Sequence, residues 1–157
     1  MTKELSIRNI KKEITNALLD DMRIMNMFGN KNVKKASDYI GKNIFCHLND
    51  DVTYLESTDI YINYDATSFR EHYDLLIYLK AHNSLLDSKD GVNKLDELTE
   101  YIEEIVKELY PNCKCYENTP IVSNDKYGRK HLRFALEAKR YNKVENYDFT
   151  NNTITTK

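Results

Sequence analysis

His72 to His82 reads HYDLLIYLKAH, the densest apolar run in the chain. Leu75, Ile77 and Leu79 fall on one face at period two, while Leu76 and Tyr78 fall on the other. Side chains alternate across a strand, so a segment apolar on both faces needs cover on both, which describes a central strand. Two further segments answer it. Asn93 to Tyr110 carries Leu95, Leu98, Ile102, Ile105, Val106 and Leu109 as one helical stripe. His131 to Arg140 sets Leu132, Phe134, Leu136 and Ala138 on one side, with His131, Arg133, Glu137 and Lys139 on the other, the pattern of a strand with one wet face. Strand, helix, strand is the expected core.

Outward from that core, Ile7, Ile10, Ile14, Leu18, Met22 and Met25 recur at helical spacing and predict an N-terminal helix ending near Phe28. Gly29 and Asn30 tolerate the left-handed conformation of its C-terminal cap. Polar GNKNVKKASD then forms a loop, and Asp38 to Ile44 fits a helical turn or an extended piece equally. Ile60, Ile62 and Tyr64 alternate with Tyr61 and Asn63, which predicts a half-buried strand. The short polar stretch from Asp65 to Arg70 joins it to the central strand as an antiparallel neighbour. In the second helix, Asp96 and Glu97 in the first turn and Lys107 in the last match the helix dipole, and Pro111 ends it. Ile121 and Val122 are expected to form a hairpin with the last strand across SNDKYGRK. All four glycines fall in or beside predicted loops. The fold class is therefore α+β, with a mixed or antiparallel sheet of about four strands packed against two main helices. Residues 1–141 read as one domain and 142–157 as a polar C-terminal arm in which Tyr147, Phe149 and Ile154 alternate weakly.

The bulk numbers agree with that size. A chain of 157 residues, 41% hydrophobic and 31% charged, is in the globular range and long enough for one core. The net charge of −2 and the sequence pI near 6.1 provide no global basic field, which argues against sequence-specific nucleic-acid binding. The opening residues lack the pattern of a signal peptide and no apolar run reaches membrane length, so the expectation is a soluble protein, intracellular when made, with no membrane partner. Three cysteines, with Cys113 and Cys115 too close for a comfortable mutual disulfide, predict free thiols. The 12 tyrosines and 5 phenylalanines suit contact surfaces as well as a core.

Few patterns carry chemistry. Asp125 followed by Glu137 and Lys139 resembles the Asp, then Glu-x-Lys, arrangement of magnesium-dependent restriction-type nucleases, in which two carboxylates hold the metal and the lysine aids the attacking water. The same alternation equally describes the solvated face of a strand. Cys46, His47, Cys113 and Cys115 are zinc-type ligands, yet Cys-x-Cys lacks the two-residue gap of a zinc knuckle. DSKDGVN lacks the ligand ladder of a calcium loop, no glycine-rich phosphate loop is present, and His47, His72, His82 and His131 are scattered. No cofactor is expected. Lys11-Lys12 and Lys34-Lys35 read as solvated pairs, with the capacity to meet an acidic partner surface.

A leading amphipathic helix, a strand at IYINY, a strand at YDLLIYL, a helix at NKLDELTEYIEEIVKEL and a hairpin ending in HLRFALEAKRY follow in that order. This layout, over about residues 5 to 141, resembles the tail terminator, or tail-completion, proteins of tailed bacteriophages. The likeness is one of element order and size, so no residue role is carried over by position, and the polar gap at residues 29 to 51 is longer than the likeness calls for. It implies a non-enzymatic structural virion protein of the neck or tail, assembled in the host cytoplasm. Its partners would be its own copies in a ring, commonly a hexamer, with the tail tube protein and the head–tail connector. The outward strand positions Tyr61, Asn63, Glu137 and Lys139, with Tyr147 and Phe149 of the arm, are the candidate subunit contacts. The alternatives are another neck or connector subunit, a magnesium-dependent nuclease using Asp125, Glu137 and Lys139, and a small host-factor-binding protein.

Overall fold

A computed structural model of the chain describes residues 5–49 and 58–137. The fold is α+β. Three helices, α1 (Ile7–Asp20), α2 (Met22–Met25) and α3 (Lys94–Leu109), accompany a mostly antiparallel sheet of six strands. The strands are β1 (Ile44–Phe45), β2 (Ile60–Phe69), β3 (His72–His82), β4 (Lys114–Asn118), β5 (Val122–Ser123) and β6 (Tyr127–Leu136). Their spatial order is β1-β2-β3-β6-β4, with β5 also paired to β6. β5 is the expected hairpin partner of the last strand, whereas the two-residue β1 and the bulged β4 leave no periodic signal, which is why the sheet is larger than the sequence suggests.

β3 is the central strand, paired along nearly its whole length with β2 on one side and β6 on the other. Its Leu75, Ile77, Leu79 and Ala81 join Ile60, Ile62, Tyr64 and Ala66 of β2 and Leu132, Phe134 and Leu136 of β6 under the helices. Ile10, Ile14 and Leu18 of α1 and Leu95, Leu98, Ile102 and Val106 of α3 close this core from above. Asn93 and Asp96 cap α3 reciprocally, each side chain accepting the other residue's backbone N–H at 3.0 Å.

Four local expectations are corrected. The N-terminal helix breaks at Asp21 instead of running to Phe28, because the Asp21 carboxylate accepts the N–H groups of Arg23 and Ile24 and so starts a new turn. Gly29 is not a left-handed cap; the glycines with positive φ are Gly41 and Gly91. Asp65 to Ser68 belong to β2, and the turn is confined to Arg70 and Glu71, with Arg70 at a φ of 53°. Those polar residues lie beyond the two positions where β1 covers β2, so the outer part of the strand stands in solvent from Thr67 to Phe69. Finally, β6 begins at Tyr127, and Gly128 sits within it because the side chains of Leu86 and Ile121 occupy the space where its Cβ would stand. The ambiguous Asp38 to Ile44 stretch holds the end of a 3-10 turn, Ala36–Tyr39, and the start of β1.

Asp59, 3% exposed, ties the loop after α2 to the head of β2. Its carboxylate accepts the N–H groups of Gly29 at 2.8 Å, Asn30 at 2.9 Å and Ile60 at 2.8 Å. Hydrogen bonds to a charged acceptor are strong, and Asp59→Ala leaves three donors short of one, so it should cost roughly 2 to 4 kcal/mol. Urea unfolding checks this as a lower midpoint with an unchanged slope.

Asp21 gives a pH-dependent counterpart. The Arg23 side chain, hydrogen-bonded to it, holds its carboxyl below the usual carboxylate range. A depressed folded pKa contributes stability that is present above the unfolded value and lost as pH falls through the folded one. Asp21→Ala should therefore cost about 1 kcal/mol at pH 7 and progressively less below about pH 4, measured by urea unfolding across that range.

Candidate interaction surface

The sheet has two unlike ends. At one, β1 covers only Ile62 and Asn63 of β2. At the other, β4 pairs with β6 from Lys114 opposite Ala135 to Asn118 opposite Leu132, and β5 continues the same edge from Val122 opposite Arg129. Among the described residues nothing pairs with the far side of β4 or β5. Unpaired backbone N–H and C=O groups on an edge strand are a template for another chain. Tyr116 and Val122 on this edge are 52% and 58% exposed.

A bulge between Cys115 and Glu117 makes Tyr116 the extra residue of β4. Its ring lies with the Arg133 guanidinium 5.9 Å from the centroid, and its hydroxyl is pushed up by burial and by hydrogen bonding to Asp74. Asp74 also takes a 3.0 Å contact from Nε2 of His72. Further along the same sheet face, the rings of Tyr78 and His131 stack at 3.8 Å. The face thus carries a band of rings and charges that ends at a cleft of about 200 Å³ lined by Thr119, Pro120, Val122, Arg129 and His131. Such mixed aromatic and arginine surfaces suit protein contacts.

A second cleft, about 360 Å³, lies at the β1 end and is lined by Gly29, Asn30, Lys42, Asn43, Thr58 and Asp59. Two of its polar side chains are engaged within the chain: Asp59 holds three backbone donors, and the Asn43 amide donates to the Ile60 carbonyl at 2.8 Å. It is a structural joint.

Several candidate residues stand elsewhere than expected. Tyr61 and Asn63 are each 2% exposed, so they present nothing outward. Tyr61 packs with Phe45 and Tyr127, while Asn63 accepts the Asn49 N–H at 3.2 Å and donates to the Tyr78 carbonyl at 3.4 Å. Tyr61 belongs to a second, smaller buried cluster on the face away from the helices, and Asn63 is buried on that same face, which the alternating pattern alone reads as wet. Asp125 is exposed in the turn before β6, and Glu137 follows the other end of that strand. Ten strand residues span about 30 Å, so the two carboxylates cannot share a metal. Lys139, Tyr147, Phe149 and the arm 142–157 lie outside the described residues.

The zinc grouping fails on the same kind of geometry. Cys46 follows β1, while Cys113 and Cys115 flank the start of β4, four strand spacings away, or about 19 Å. All three are free thiols. Cys46 sits 3.1 Å from the Tyr64 hydroxyl, which also meets the Thr15 hydroxyl at 2.5 Å, and burial pushes the Tyr64 phenol up. Burial likewise pushes up the thiols of Cys113 and Cys115. Among the described residues, no group of three or more His, Cys, Asp or Glu converges as a metal site. No helix is long and apolar enough to cross a membrane in the same span of chain.

Sequence reasoning missed β4 itself. KCYEN is short and interrupted by its bulge, so it shows no clean alternation; its signal was confined to a tyrosine and two thiols between Pro111 and Pro120. No family model, no curated protein and no solved structure matches this chain.

Proposed function

We propose that the chain is a structural subunit of a tailed-bacteriophage neck, a ring-forming tail terminator that caps the tail tube and joins it to the head connector. The observation that carries this reading is the outer β4 and β5 edge, unpaired on its far side among the described residues and bearing exposed Tyr116 and Val122. A ring subunit must offer two different surfaces, one to each neighbour, so that a fixed rotation closes the circle. A sheet with unlike ends meets that requirement, and the order of helices and strands agrees with the family likeness. The role asks for surfaces and for no reaction centre or cofactor. Its partners are copies of the same chain, the tail tube protein and the connector, and its place is the virion neck.

A charge on an edge strand blocks addition of a further strand. The mass in solution, alone and with candidate tube subunits, is therefore to be compared for the native chain and for Tyr116→Lys with Val122→Lys. The native chain should form closed multiples of 18.5 kDa, and the variant should remain a single subunit with an unchanged circular dichroism spectrum. A native chain that stays single under every condition, or a variant that assembles as well as the native chain, contradicts the reading.

A further inference from the structure

We infer that neighbouring copies meet head to tail through opposite charge, the acidic outer face of α3 in one copy against the lysine-bearing loop 29–43 of the next. This inference rests on the ring reading and names its contact.

α3 carries Asp96, Glu97, Glu100, Glu103, Glu104 and Glu108 against Lys94 and Lys107, a net charge of −4. Glu97, Glu100, Glu104 and Glu108 recur at spacings of three and four, so they share one stripe, turned away from the buried Leu95, Leu98, Ile102 and Val106. Like charges at that spacing repel one another along the helix. Glu104 is paired with Arg23 at 2.5 Å, but Glu97, Glu100 and Glu108 take part in no ion pair among the described residues. Part of the acidic stripe is therefore uncompensated within the subunit.

Loop 29–43 is its opposite. Lys31, Lys34, Lys35 and Lys42 are all exposed, and Asp38 is the sole acidic residue, which leaves a net charge of +3. The Asp38 carboxylate is occupied with the backbone N–H groups of Lys34 and Lys35, which holds this part of the loop in place, and the Lys31 ammonium donates to the Asn26 carbonyl at 3.3 Å. None of the four lysines joins an ion pair among the described residues.

The two patches belong to different elements. The lysine loop leads directly into β1, whereas α3 packs over the central β3 and beside α1 and α2. A contact between unlike patches is heterologous, and repetition with a fixed rotation gives a ring. Complementary charge also steers encounter and fixes register more than it adds raw affinity, which suits subunits that must add in one orientation.

Paired charge reversal tests this directly. One variant carries Glu97→Lys, Glu100→Lys and Glu108→Lys, leaving the Arg23-bound Glu104 intact. The other carries Lys31→Glu, Lys34→Glu and Lys35→Glu. Each alone should keep its circular dichroism spectrum and lose assembly by about tenfold or more in the concentration required. Mixed in equal amounts they should assemble again, as rings of even copy number in which the two variants alternate. Native assembly should weaken as salt rises from about 0.05 to 0.5 M, because screening shortens the reach of exposed charges. Folded variants that each assemble like the native chain, or a folded mixture that stays unassembled, overturn this contact and leave the ring intact. A native chain that never assembles removes the ring and this contact together.

Discussion

Two-faced burial of β3 is the constraint on which the rest of the structure depends. Leu75, Ile77 and Leu79 are sealed under the helices, and on the reverse face Leu76 and Lys80 are also buried. A strand in that position cannot be an edge, so it must have a partner on each side, and β2 and β6 supply them in antiparallel register. The position of Lys80 shows how strict the cover is. A buried ammonium requires acceptors, and its Nζ donates to the Asn49 carbonyl at 3.0 Å. Residues after β1 are thereby drawn over the second face, where Phe45, Tyr61 and Tyr127 form their own cluster.

That second cluster also marks where sequence reasoning stops. Long, strongly periodic elements were readable: Ile10, Ile14 and Leu18 of α1, the stripe of α3, the double-sided run of β3 and the alternation of Leu132, Phe134 and Leu136 lie where their spacing places them, whereas Ile7 and Met22 of the N-terminal stripe are exposed. Alternation says which residues share a face, but it does not say what lies opposite that face. Tyr61 and Asn63 share a face with Tyr78; their own alternation reads as outward, yet the loop after β1 closes over part of that face. Asp21 was equally hidden, since its neighbours continue the helical stripe and only the side-chain capping bonds reveal the break. Asp59 offered no local pattern, because its three donors come from two places in the chain.

The candidate surface was less legible than the fold for a related reason. An edge is defined by which strand ends up last in the sheet, a property of topology and not of any short segment. β4 takes that position although KCYEN carries weaker strand character than its neighbours, and its bulge turns Tyr116 toward Arg133 and Asp74. The charge asymmetry was visible in outline, as Lys34-Lys35 and as the glutamates of the second helix. What the fold adds is their placement on separate elements: the lysine loop leads into β1 and the acidic helix packs over the central β3. Separated opposite charges on one subunit favour an open, directional contact over a self-complementary one.

The most direct measurement is negative-stain imaging of the purified protein mixed with tail tubes and connector subunits. Rings of uniform diameter, or density confined to tube ends, are the predicted result. Tubes with bare ends, beside a protein that remains single at every concentration and salt, would contradict the account.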